Sequence, residues 1–239
     1  MSTLGLDSFI DQAPALSIIT GHYGVGKTNL ALNLVKRWLP KSPNLRLIDL
    51  DIVNPYFRSS DSIEWLTANS VGLLGPSLAG TTLDAPALAH GIDEALRQAS
   101  TDYPVLVDVG GDPDGARALA RYSASILTHD YLLVYVANFN RPEVATPQSA
   151  LELMRAIEAQ SKLQTKAIIG NTHLKQLTTV EQVSSTLPAL LELSELSGLP
   201  LICVTISEEL ALGLEAAIGG QHSLQVLPMV QMVKTPWEE

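Results

Sequence analysis

Residues 16–39 require a strand, a sharp glycine loop and a helix to follow one another directly. Leu16-Ser17-Ile18-Ile19-Thr20 is short, apolar and rich in β-branched residues, the pattern of a buried strand. The next eight residues, Gly21-His22-Tyr23-Gly24-Val25-Gly26-Lys27-Thr28, fit G-x-x-x-x-G-K-[ST]. After them Ala31, Leu34, Val35 and Trp38 recur at helical spacing until Leu39-Pro40 stops the run. Strand, glycine loop and helix make the geometry of a phosphate-binding loop. The glycines let the chain curl so that successive N–H groups face one anion, and the helix N-terminus adds its positive end. Lys27 is placed to reach the β and γ phosphates, and the Thr28 hydroxyl to ligate Mg²⁺. Gly21, His22, Tyr23, Gly24, Val25, Gly26, Lys27, Thr28 and Asn29 are therefore expected to line a nucleotide.

Around this loop, apolar strand-like runs alternate with helical patterns along the chain. The strands expected are 15–20, 45–50, 104–109, 131–138, 165–170 and 200–206; the helices are 27–39, 84–98, 114–122, 146–161 and 180–196. Short strands apolar on both faces belong in a parallel sheet covered on both sides, so the expectation is a three-layer α/β P-loop NTPase fold with a mostly parallel sheet. Thr146-Pro147 supplies an N-cap and a first-turn proline, and Thr179 with Gln182 has capping-box spacing. Pro188 is expected to kink or split the last helix. The stretch 51–84, rich in Ser, Gly, Pro and Asn, reads as a functional loop. Residues 13–239 read as one nucleotide-binding domain. Residues 1–12, with Asp7 and Asp11 but no Lys or Arg, read as a tail or docking segment rather than a secretory leader.

Several classes of function are disfavoured by composition. A net charge of −10 opposes non-specific binding to nucleic acid or to anionic lipid. No apolar run approaches the roughly 20 residues that span a bilayer. Cys203 is the single cysteine, in the strand-like Leu201-Ile202-Cys203-Val204-Thr205-Ile206, so a disulfide within the chain and a Cys-x-x-Cys metal site are both excluded. A cytoplasmic setting is expected.

Ligands to a parallel sheet collect at the carboxyl ends of its strands. Asp108 follows Val105-Leu106-Val107 there and suits a Walker B carboxylate that holds Mg²⁺. The spacing Asp108-x-x-Gly111 suits a switch in which a glycine N–H meets the terminal phosphate. Asp51 ends the second strand, where it can position water or support the metal; capping of the strand by Asp49 and Asp51 is the alternative. Arg58 is a further candidate for the terminal phosphate or a partner subunit. Asn171, in Asn171-Thr172-His173-Leu174, can read a purine edge or simply end its strand. Leu174 stands where a guanine-reading acid would be needed, which favours ATP.

In the loop 21–28, the strand entering Asp51 and the Asp108-to-Gly111 switch, the chain resembles the MinD/ParA/CobQ group of P-loop proteins. Leu50-Asp51-Ile52-Val53-Asn54-Pro55-Tyr56-Phe57-Arg58 and Asn171-Thr172-His173-Leu174 are similar to ATP-binding bacterial members of that group with no assigned task. The resemblance implies a nucleotide-dependent dimer and slow hydrolysis used as a switch. His22 stands where the deviant loop of MinD and ParA carries a second lysine, which weakens a contact across such a dimer and makes it pH-sensitive. The segment Lys234 to Glu239 has no basic amphipathic pattern for a membrane, and Cys203 alone offers no paired ligands for an iron–sulfur cluster within one subunit.

The activity expected is that of a Mg²⁺-dependent ATP-binding switch and weak ATPase whose states are read by a protein client. Lys27, Asp51 and Asp108 would be its catalytic residues, and Thr28, Asp51 and Asp108 its metal residues. A small-molecule kinase or ligase related to CobQ and dethiobiotin synthetase is the alternative, with Arg58 and Arg141 as the cations for an acidic substrate. A scaffold that binds nucleotide without hydrolysing it is the third.

Overall fold

The computed structural model describes residues 9–51, 60–75, 85–111, 113–173, 177–218 and 224–233. The strands are β1 (Leu16–Gly21), β2 (Arg46–Asp49), β3 (Gly72–Leu74), β4 (Val105–Asp108), β5 (Leu132–Ala137), β6 (Ala167–Gly170), β7 (Leu201–Ser207) and β8 (Gln225–Met229). They form one sheet in the order β3-β2-β4-β1-β5-β6-β7-β8, with every neighbouring pair parallel. Between them run α1 (Lys27–Trp38), α2 (Ser60–Ala68), α3 (Ala85–Arg97), α4 (Pro113–Ala120), α5 (Ser123–Ile126), α6 (Pro147–Ser161), α7 (Val180–Ser197) and α8 (Ala211–Ile218).

Strand alternation sorts the core into two layers. In β5, Leu132, Val134 and Val136 join the cluster under α1 and α2, while Leu133, Tyr135 and Ala137 face the helices α3 to α8. Helix α1 buries Leu30, Ala31, Leu34, Val35 and Trp38, each large side chain contributing about 1.5–3 kcal/mol. Residues 9–11, part of the segment expected to be a tail or a docking segment, are docked on that helix. Phe9 meets the Trp38 ring edge-on at 5.3 Å, Trp38 Nε1 donates to the Phe9 and Ile10 carbonyls at 3.0 and 3.1 Å, and Arg37 pairs with Asp11.

Five elements go beyond the sequence expectation, the one-turn α5 just past the expected helix 114–122 among them. Helix α2 and strand β3 lie inside the stretch expected to be loop, while 52–59, with Arg58, and 76–84 lie outside the described residues. At the other end, α8 and β8 extend the alternation. β8 contains Pro228 and is tolerated because it is an edge strand paired on one side only. The expected split at Pro188 does not occur. Helix α7 runs unbroken through it, closed by the Thr179–Gln182 capping box and a left-handed Gly198. Buried Val183, Leu190 and Leu193 flank the proline, and their packing outweighs the roughly 3 kcal/mol that an interior proline costs.

From β1 the chain passes to β2 on one side of the sheet and later crosses to β5 on the other. The carboxyl end of β1 is thus the topological switch point, where open α/β sheets form their ligand crevice. Residues 21–28 sit there.

Candidate functional site

The loop owes its shape to glycines. Gly26 caps α1 in the left-handed region at φ 85°, and Gly24 turns the chain at φ 71°. Gly26 offers no side-chain acceptor to the first turn of α1, and that turn contains no acidic residue. Its positive end thus has no negative side chain of its own helix to offset it. Lys27 is buried, and its ammonium donates to the His22 carbonyl at 3.0 Å, spanning the loop. The His22 ring turns back on the loop, Nδ1 donating to the Tyr23 carbonyl at 2.8 Å. Tyr23 projects outward, 47% exposed.

Strand β4 brings Asp108 beneath this loop. The register pairs Asp108 with Ile19 of β1 and with Asp49 of β2. The Thr28 hydroxyl donates to Asp108 Oδ2 at 2.6 Å, across 80 residues of sequence. Asp108 Oδ1 is buried with no hydrogen-bond partner. Burial pushes the carboxyl up to about 6, against the opposing pull of the Lys27 ammonium and the Thr28 hydroxyl; the Asp51 charge adds to the rise. A buried carboxylate with one oxygen unsatisfied, beside a hydroxyl and an ammonium, is suited to accept a hard cation.

Asp49 and Asp51 divide their work. Asp49 is fully buried, and its Oδ1 accepts the Asp51 N–H at 2.9 Å, so it shapes the turn at the end of β2. Asp51 lies further toward the loop, its Oδ1 3.3 Å from the position a Cβ on Gly110 would take. Gly111 rests on the loop itself. A Cβ there would overlap the Tyr23 backbone nitrogen and lie 2.7 Å from Lys27 Nζ, so only glycine allows the two segments to touch. Lys27, Thr28, Asp108, Asp51 and Gly111 are thus gathered at one corner.

Two expected nucleotide contacts are engaged elsewhere. Asn29 points its side chain away from the loop: Oδ1 accepts the Met232 and Val233 N–H groups at 2.8 and 3.3 Å, and Nδ2 donates to the Val230 carbonyl at 3.1 Å. Asn33 repeats the pattern one turn on, exchanging two bonds with Val230. Asn171 is fully buried, donates to the Val25 carbonyl at 2.6 Å and accepts the Thr205 hydroxyl. One N–H of its amide thus braces the loop from beneath and one lone pair is taken by Thr205 of β7; a purine edge would have to use the others. Leu174 and Lys234 to Glu239 lie outside the described residues.

The turn after β5 supplies contacts that local patterning does not announce. Register pairs Gly21 with Val136, so Asn138 to Arg141 run beside the loop. The Arg141 guanidinium lies against Gly24, and His173 approaches Gly26. An isolated Arg or His in a polar turn carries no periodic signal, and only the parallel pairing of β1 with β5, and of β5 with β6, brings them here.

No family model matches the chain, and no curated protein sequence matches it. Among solved structures it is similar to FtsY from Mycoplasma mycoides, with a TM-score of 0.55 at 16% identity, over 84% of this chain and 64% of that one. It is also similar to the signal recognition particle receptor FtsY from Elizabethkingia anophelis in complex with GDP, with a TM-score of 0.54 at 16% identity, over 85% of this chain and 63% of that one. This is a three-layer α/β P-loop fold. The chain spans less than two thirds of the length of those proteins, and at such identity the likeness is one of fold.

Among the described residues no helix is long and apolar enough to cross a membrane. Nor do three His, Cys, Asp or Glu side chains cluster there as a metal cage. Mg²⁺ at a phosphate site needs none, because one or two protein oxygens suffice beside phosphate and water.

Proposed function

We propose that this chain binds a nucleoside triphosphate with Mg²⁺, ATP foremost, and acts as a slow cytoplasmic hydrolytic switch read by a protein partner. The observation that carries the reading is the bond from Thr28 to Asp108 beneath the loop, with the second carboxylate oxygen buried and unsatisfied. Those two side chains would hold the metal, which would neutralise charge on the β and γ phosphates. Lys27 and the loop N–H groups bind the phosphates themselves. Asp51 orients water from the end of β2. Since Gly111 touches Tyr23 and lies beside the Lys27 ammonium, whatever that ammonium holds bears directly on the switch segment. The missing acid at Leu174 and the resemblance to the MinD/ParA/CobQ group support ATP; the GDP bound by the Elizabethkingia anophelis neighbour makes GTP the comparison to run. Chemistry of this kind is mostly positioning, so unassisted turnover on the order of 10⁻⁴ to 10⁻² per second is expected.

Calorimetric titration of the purified chain with ATP and GTP, with Mg²⁺ or with EDTA, tests the proposal. Mg²⁺-dependent binding of ATP, lost in Lys27→Ala, is expected, and light scattering with the bound nucleotide will show whether two copies pair. No binding of either nucleotide by the folded wild-type chain would remove the proposal.

A further inference from the structure

We propose that Arg141 is a phosphate-binding residue, supplying from the turn after β5 a second cation to the loop within the same chain. The inference rests on the nucleotide reading above and adds to it a ligand outside the loop motif. A Cβ on Gly24 would lie 3.2 Å from the guanidinium carbon of Arg141 and 3.4 Å from its Nε and Nη2. The planar head is therefore laid against the middle of the curl whose N–H groups face the anion.

Three further observations support the assignment. Arg141 Nε is buried and has no hydrogen-bond partner, an unusual state for an N–H of a permanent cation. No ion pair among the described residues involves Arg141, although the chain carries a net charge of −10 and has ample carboxylates. Asn138, three residues earlier and almost fully buried, also keeps its amide nitrogen unpartnered. Donors beside a phosphate loop that find no acceptor in the protein suit an acceptor that comes from outside it.

The backbone is built to hold the head in place. The Arg141 N–H donates to the Asn138 carbonyl at 3.2 Å, and the Val144 N–H donates to the Arg141 carbonyl at 3.1 Å. Asn138 Oδ1 accepts the Asn140 N–H at 3.0 Å, and Pro142 opens a short 3₁₀ turn. A guanidinium held beside Gly24 in this way would present its fork to a phosphate seated in the loop, where it makes charge-assisted bonds.

Titration of MgATP into the wild-type chain, Arg141→Met and Arg141→Lys tests this, with the melting temperature of each recorded. Methionine keeps the stem that packs on Gly24 and removes the charge. Arg141→Met is expected to bind roughly ten- to hundred-fold more weakly, with Arg141→Lys in between and both melting within about 2 °C of wild type. Should the methionine variant not fold, Arg141→Gln takes its place with the same expected loss. A neutral variant within twofold of wild type would overturn the assignment, and so would a lysine variant as weak as the neutral one. If the wild-type chain itself binds neither MgATP nor MgGTP, the nucleotide site has failed and the arginine with it, a result distinct from either.

Discussion

Replacing Asp108 by asparagine preserves the shape of the side chain and removes its charge, and the consequences can be worked through from the burial of the site. The carboxyl is raised from its ordinary 3.8 to about 6, chiefly because burial penalises the charged form. At 1.36 kcal/mol per pH unit that shift corresponds to about 3 kcal/mol. The folded chain holds this proton more tightly than the unfolded one. Stability therefore falls as pH rises from about 4 to about 6; the full cost is present above that window and absent below it. Asparagine carries no such cost, and its oxygen can still accept the Thr28 hydroxyl. Its amide nitrogen would occupy the place of the unsatisfied Oδ1, and a buried donor without a partner costs about 1–3 kcal/mol at every pH. The variant is thus less stable than wild type near pH 4 and equal or better at pH 7.5, having gained about 3 kcal/mol on it across the interval. For a chain of this size that is a relative change of roughly 6–12 °C in melting temperature. Scanning calorimetry of both proteins in EDTA, from pH 4 to 7.5, measures it, and groups common to both cancel in the difference. A difference in melting temperature that stays flat over this range, or slopes the other way, would refute the argument. The variant should also lose Mg²⁺-dependent nucleotide binding, so that the group costing stability is the one serving the ligand.

Gly111→Ala forces a Cβ onto the Tyr23 backbone nitrogen, so nucleotide turnover should fall on the order of a hundred-fold; Gly91→Ala, whose Cβ meets nothing within 4 Å, should leave turnover unchanged in the same assay. Asn33→Ala removes both bonds to Val230 and should destabilise the chain by about 2–3 kcal/mol, with faster hydrogen exchange at the Val230 amide; unchanged exchange there would count against the clamp. Burial pushes the Cys203 thiol up to about 12, so a disulfide reagent at pH 8 should react with it only at the rate of unfolding, and prompt labelling of the native protein would contradict that.

Strand, loop and helix at 16–38 could be read from sequence because each part carries its own local signal: β-branched residues, spaced glycines and a 3.6-residue apolar period. The Thr179–Gln182 box and the first-turn Pro147 were legible for the same reason. The three-residue β3 is too short to show a period within its Ser- and Gly-rich surroundings, and Pro228 obscures β8, because a strand proline is tolerated only at an edge that sequence does not reveal. Helix α8 is apolar on nearly all sides, which blurs its period. Within the site, Lys27, Thr28 and Asp108 follow from motif and strand-end rules. That Asn29 would turn toward Val230, or Asn171 toward Val25, depends on pairings across 201 and 146 residues. Nothing in the immediate neighbourhood of an asparagine encodes so distant a partner.

The two asparagines on α1 tie the first turns after the glycine loop to residues made some two hundred positions later, with separations of 201 and 197. Contacts of such range form late, since a long stretch of chain must lose its freedom before they return anything. During synthesis the loop at 21–28 is complete in sequence long before the segment after β8, with Val230, Met232 and Val233, exists to brace its helix. Competence to grip a ligand should accordingly appear as one of the last events of folding, so that a half-made chain does not compete with finished molecules for it.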